Sequence, residues 1–242
     1  MTEINRPIVN RFSDAQAVAI AAADAFVNKA IELLAVKSEI HISITGGTVG
    51  ILTLKMIGEH DQVEQIDWDR VNIWWGDERF VETDSPDRNS VQAHNAMLKK
   101  LPKTNLHPFP ASDEGMTLDE AANFFSAEVA SLKPKFSIAF VGVGPDGHIC
   151  SLFPGKPEIE PGVLVIAEHD SPKPPPQRLS FSYEAMNSVE EIWFVIAGAD
   201  KQDAVSVAFG DNPKQLPVGR VQGKSKTVWF VDQSAGSKTW GC

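Results

Sequence analysis

The stretch Phe140-Val141-Gly142-Val143-Gly144-Pro145-Asp146-Gly147-His148 closes an apolar run with three glycines, an acid and an imidazole. An imidazole titrates near neutral pH, so His148 suits general-base work, and Asp146 stands where it can orient the ring. The glycines let the backbone approach a ligand closely and turn its amides toward an anion. A lone histidine in a turn is usually just hydrogen-bonded there. The acid and the glycines set His148 apart from His41, His60, His94, His107 and His169.

Three other groups of residues could serve the same chemistry. Trp75-Gly76-Asp77-Glu78-Arg79 puts two acids and a guanidinium at a strand end. It reads either as a solvated, salt-bridged loop or as an anion clamp in which Asp77 or Glu78 orients Arg79. Gly46-Gly47-Thr48 is either an ordinary tight turn or a phosphate cradle of amides and a hydroxyl. Lys201 falls in the first turn of a helix, where an ammonium opposes the macrodipole, and Arg178 follows a stiff proline run. Each reads as a surface cation or as a charge held toward a ligand. Cys150 has no Cys–His arrangement around it and reads as packing.

The elements that must position these residues alternate. Strands are expected at Ile40–Thr45, Val71–Trp75, Phe136–Val141, Val163–Glu168, Leu179–Tyr183, Ile192–Ala197 and Val228–Val231. Helices are expected from Ser13, with Gln16 completing a capping box, and at Val49–Gly58, Asn89–Leu101, Leu118–Leu132 and Asp200–Phe209. Thr117 with Glu120 forms a second capping box. The rhythm implies an α/β fold, a doubly wound and mainly parallel sheet with helices on both faces, spanning residues 1–242 as one domain. In such sheets ligands bind beyond the carboxyl ends of the strands, where the candidate loops fall.

Composition narrows the function. The chain has 242 residues, 43% of them apolar, and a net charge of −10. That charge argues against a nucleic-acid surface, and an anionic substrate must be held by a local cluster of bases. Two cysteines, Cys150 and Cys242, make no disulfide framework and no zinc spacing, which suits a reducing, cytoplasmic setting. The first residues, with Glu3 and Asp14, do not read as a signal peptide, and no run spans a membrane. Gly142-Val143-Gly144-Pro145-Asp146-Gly147 matches the dinucleotide pattern G-x-G-x-x-G. Ser151-Leu152-Phe153-Pro154-Gly155, however, cuts short the helix that should receive the pyrophosphate, and no Walker pattern exists. No metal-ligand spacing accompanies Asp77 and Glu78.

In order and spacing, Gly46-Gly47-Thr48, Trp75 to Val81, and Gly142 to Gly155 with its Ser151-Leu152-Phe153-Pro154 tail resemble the 6-phosphogluconolactonases. Gly198-Ala199-Asp200-Lys201, Leu216-Pro217 and Arg220-Val221 fit too, and the resemblance covers about residues 13–232. It implies a fold shared with glucosamine-6-phosphate deaminases and ribose-5-phosphate isomerases. It also implies hydrolysis of 6-phospho-D-glucono-1,5-lactone, the second step of the oxidative pentose phosphate pathway, without metal or cofactor. His148 would be the base, oriented by Asp146 or a carbonyl, and Arg79 would stabilise the oxyanion. The phosphate would rest on Gly47, Thr48, Arg178 and Lys201, with Gly46, Asp77, Glu78 and Gly144 completing the substrate site. A sugar-phosphate substrate is then the only partner, with no nucleic acid and no membrane, and the chain is expected as a monomer or weak homodimer. Deaminases usually carry Tyr after the Asp-Glu pair and Asn-Glu-Pro after the histidine loop, where this chain has Arg79 and Leu152-Phe153-Pro154. Val49 and Val218 depart from the usual lactonase residues. A catalytically silent sugar-phosphate sensor on the same fold would not need both His148 and Arg79.

Overall fold

The computed structural model describes residues 6–101 and 104–241. Glu3 and Cys242 lie outside them. Seven strands form one parallel sheet: β1 (Ile8–Phe12), β2 (Ile40–Ile44), β3 (Val71–Trp75), β5 (Asn105–His107), β6 (Phe136–Val141), β9 (Glu191–Ile196) and β10 (Lys226–Asp232). Their spatial order is β1-β10-β9-β6-β2-β3-β5, and every pairing is parallel. The chain runs outward from β2 through β3 to β5, and the opposite way from β6 through β9 to β10. Adjacent β2 and β6 therefore flank the point where the winding reverses, and a crevice opens there beyond the strand ends.

β6 and β9 are buried along their whole length, as a parallel strand covered on both faces must be. Helix α1 (Ala15–Leu34) packs Phe26 against Phe140 and Trp68 at centroid distances of 5.6 and 6.4 Å. Helix α4 (Leu118–Leu132) brings Phe125 to 5.9 Å from Trp74. Helices α2 (Gly47–Gly58), α3 (Asn89–Ala96), α5 (Tyr183–Asn187), α6 (Gln202–Ala208) and α7 (Gln233–Trp240) complete the set. Thr117 and Glu120 form the expected reciprocal cap on α4. The cap of α1 is one residue later than Ser13. Asp14 accepts from the Ala17 amide at 2.9 Å, and the Ser13 hydroxyl donates to Asp14. No helix among the described residues is long and apolar enough to cross a membrane.

One expectation about the sheet is corrected. Strands β7 (Val165–Glu168) and β8 (Arg178–Phe181) do not join the parallel sheet but form a small antiparallel one with β4 (Asp77–Arg79). A parallel pair needs a crossover of about a dozen residues or more, whereas the proline-rich segment 169–177 only turns the chain back. β4 starts one residue after Gly76, so the stretch around Asp77 is a strand rather than a loop. Phe181 donates its amide to the Gly76 carbonyl at 2.9 Å, which ties the small sheet to the end of β3.

Candidate active site

A cavity of about 580 Å³ sits over the β2/β6 crevice, within the range that encloses a small ligand. It gathers the loops beyond β2, β6 and β9, the start of β4 and part of the proline segment. Gly46, Gly47, Thr48, Asp77, Arg79, Gly144, His148, Arg178 and Lys201 all line it.

His148 Nδ1 lies 2.5 Å from Asp146 Oδ1, and the ring packs at 4.7 Å from Phe153. Burial pulls the imidazole below its ordinary pKa, against the raising effect of Asp146. Burial would raise the Asp146 carboxyl, but the hydrogen bond and charge of His148 outweigh it and hold the acid below its usual range. Ionised Asp146 only accepts, so the shared proton sits on Nδ1 and Nε2 keeps its lone pair. A β-carbon on Gly144 would come within 2.0 Å of the His148 ring and 2.6 Å of Asp146 Oδ1. The backbone at Gly144 thus serves as the floor on which the pair lies. Asp146 itself does not line the cavity; it stands behind His148.

Arg79 and Arg178 are direct cross-strand partners in the β4–β8 pair. Like charges facing each other across a ladder repel, and an anion between them removes the penalty. Arg79 Nη1 donates to the Asp87 carbonyl, while its buried Nε has no partner. Arg178 donates to the carbonyls of Lys173, Pro174 and Pro175 at 3.0 to 3.3 Å, so it also clamps the proline segment. Helix α2 opens with Gly46 and no side-chain cap, leaving its first amides free for an anion. Gly47 has φ +78°, a conformation that other residues adopt only with strain. Lys201 is held by Asp200 at 2.7 Å.

Two predicted residues take different places. Glu78 does not line the cavity; it is fully buried and accepts from the amides of Arg79, Asn89 and Ser90 at 2.6 to 2.9 Å. Arg88 lies 3.7 Å from it. Burial pushes this carboxyl up against those partners. Glu78 is an internal anchor joining β4 to the start of α3, not a wall of the site. Asp77 faces the cavity with both oxygens engaged, by the Ser151 hydroxyl at 2.7 Å and Asn89 Nδ2 at 3.2 Å. Cys150 also lines the cavity, but burial and then Asp77 push its thiol well up, away from thiolate chemistry.

Lys173, Asn89 and Asp232, which the sequence did not single out, also belong to the lining. Burial, then Lys201 and Arg178, lower the Lys173 ammonium against the pull of Asp146. With Arg79, Arg178 and Lys201 it makes four cations around one cavity, against the three carboxylates of Asp77, Asp200 and Asp232, in a chain of net charge −10. Among the described residues, no three His, Cys, Asp or Glu side chains are arranged to hold a metal. A bound anion and a base for proton transfer are what this arrangement provides for.

The family described as glucosamine-6-phosphate isomerases/6-phosphogluconolactonase matches residues 13–229. A 6-phosphogluconolactonase of Mycobacterium tuberculosis is 36% identical over 239 residues, covering 94% of this chain and 96% of that one. One from Streptomyces coelicolor is 34% identical over 252 residues, covering 98% and 96%. The crystal structure of a 6-phosphogluconolactonase from Thermotoga maritima superposes with a TM-score of 0.81 at 26% identity, covering 94% of this chain and all of that one.

Proposed function

The chain belongs to the glucosamine-6-phosphate isomerase/6-phosphogluconolactonase family, and on that premise we propose that it hydrolyses 6-phospho-D-glucono-1,5-lactone to 6-phospho-D-gluconate. The observation that carries this reading is the His148–Asp146 pair lining a cavity ringed by Arg79, Lys173, Arg178 and Lys201. A lactone carbonyl is already electrophilic, so one base and one anchored substrate suffice.

Asp146 keeps the proton on Nδ1, and Nε2 removes a proton from water as the water oxygen attacks C1. Charge grows on the carbonyl oxygen and is stabilised by Arg79, which lines the cavity, together with loop amides. The C1–O5 bond then breaks, and the imidazolium returns its proton to the departing ring oxygen. The phosphate rests on the amides of Gly47 and Thr48 and on Lys201, Arg178 and Lys173, fixing C1 beside His148. No step calls on a metal. Asp77, immobilised by Ser151 and Asn89, offers its remaining lone pairs to sugar hydroxyls.

The isomerase branch of the family is less well served by this site. No carboxylate stands between His148 and Gly155, where Leu152 and Phe153 are buried and Phe153 packs against the imidazole. The test is lactone hydrolysis at neutral pH, with substrate generated in place by oxidising glucose 6-phosphate, chelator present and spontaneous opening subtracted. Acceleration that survives the chelator supports the reading. No acceleration, with the sugar phosphate still raising the melting temperature, would replace it with a sensor.

A further inference from the structure

Asn89 is the first residue of α3 and is 2% exposed. Its backbone amide donates to Glu78 at 2.6 Å, which fixes where the side chain starts. The carboxamide Nδ2 donates to the Asp77 carbonyl at 2.9 Å and to Asp77 Oδ1 at 3.2 Å. Only the nitrogen of an amide can face two acceptors, so Oδ1 is turned elsewhere. It lies against Gly46, at the N-cap of α2, where a β-carbon would come within 2.1 Å of Asn89 Oδ1 and 2.6 Å of its Cγ. The carboxamide fills the space that a side chain at Gly46 would take.

One amide therefore touches both the anion-binding end of the cavity and its acid. Oδ1 is buried without a hydrogen-bond partner. A buried acceptor left unpaired costs stability, so an apolar side chain would make a better mere spacer. The two donations to Asp77 supply the reason for an amide. Gly46 has φ −83° and ψ −159°, extended backbone that alanine also adopts, so it is the carboxamide that calls for glycine there. With the phosphate on the α2 amides and the sugar hydroxyls on Asp77, as read above, we propose that Asn89 is a positioning residue. Its carboxamide, wedged between Gly46 and Asp77, sets how far the phosphate cradle stands from the acid that takes the hydroxyls.

The probes are 6-phosphogluconate and inorganic phosphate, titrated by calorimetry into the full chain and its variants. Asn89→Ala is expected to weaken 6-phosphogluconate about tenfold and to leave inorganic phosphate within about twofold, because only the sugar end loses its oriented partner. A residue needed only for folding would not change that ratio. Gly46→Ala, which pushes the carboxamide off Asp77 without removing it, should show the same selective loss. In the double variant the new methyl enters the vacated space, so binding should match Asn89→Ala, whereas independent losses would multiply. Should Asn89→Ala not fold, the ratio in Gly46→Ala decides. Equal weakening of both ligands, no weakening of 6-phosphogluconate, or multiplied losses in the double variant would overturn the proposal. Lactone hydrolysis by the unaltered chain is read separately. A chain that binds both ligands with this pattern but opens no lactone loses the lactonase reading alone, and one that binds neither loses both.

Discussion

Two histidine environments in this molecule differ instructively. His41 and His107 flank Trp74, which donates its indole N–H to His41 Nδ1 at 3.1 Å and stacks on the His107 ring at 4.0 Å. His107 has partners for both ring nitrogens, Asn72 Oδ1 at 3.2 Å and Glu128 at 3.7 Å. His148 has a carboxylate on one nitrogen only and borders a cavity. Burial lowers the pKa of all three. A depressed pKa and an acidic neighbour are therefore common to the structural pair and the candidate base. What separates them is a ring nitrogen left unspent beside a space that a reactant can enter.

Substitutions at these places should have effects of different kind and size. His148→Ala removes the proposed base, and kcat should fall about 10²- to 10⁴-fold with the melting temperature little changed. Gly144→Ala leaves the imidazole in place chemically but pushes it off its floor, and a shift near 1 Å should lower kcat by about 10²-fold. Arg178→Ala should chiefly raise KM, by about tenfold or more, since it removes one cation and loosens the segment carrying Lys173. An unchanged KM there would place the phosphate elsewhere. His107→Phe should leave kcat within about twofold and cost about 1–3 kcal/mol of stability, read by urea unfolding, because Asn72 and Glu128 lose a partner.

The structural pair, His41 and His107, also makes stability depend on pH. Imidazoles with folded pKa values below the unfolded one, about 6.5, favour the native state only while neutral. Their contribution is full above that value and is lost as pH falls through the folded values. The melting temperature should decline on acidification below about pH 6.5, and less steeply in His107→Phe.

Much of the site was legible because its parts are local. Gly144, Asp146 and His148 lie within five residues, so their joint chemistry needs no knowledge of the fold. The parallel sheet was legible from its continuous apolar strands. What escaped depends on distant pairings. Lys173 lies in a run that reads as a stiff connector, and it reaches the cavity because β7 and β8 pair antiparallel and fold that run over the sheet edge. Asn89 reads simply as the start of a helix. In sequence Glu78 shares a run with Asp77 and Arg79, but alternate residues of a strand point to opposite faces. Once Asp77–Arg79 is recognised as a strand, that alternation puts 77 and 79 in the cavity and 78 beneath it. β1 and β5, short strands at the sheet edges with polar residues among them, offered no apolar run to read.

The central claim is that neutral His148 takes the proton from water, and the pH dependence of kcat/KM tests it most directly. Lactone hydrolysis by the unaltered chain and by His148→Ala would be compared from pH 4.5 to 8, with spontaneous opening subtracted at each point. We expect activity to fall with acid along a limb whose midpoint lies below about 6.5, and that limb to vanish in the residual rate of the variant. The same limb persisting in His148→Ala at near-normal turnover would contradict the account.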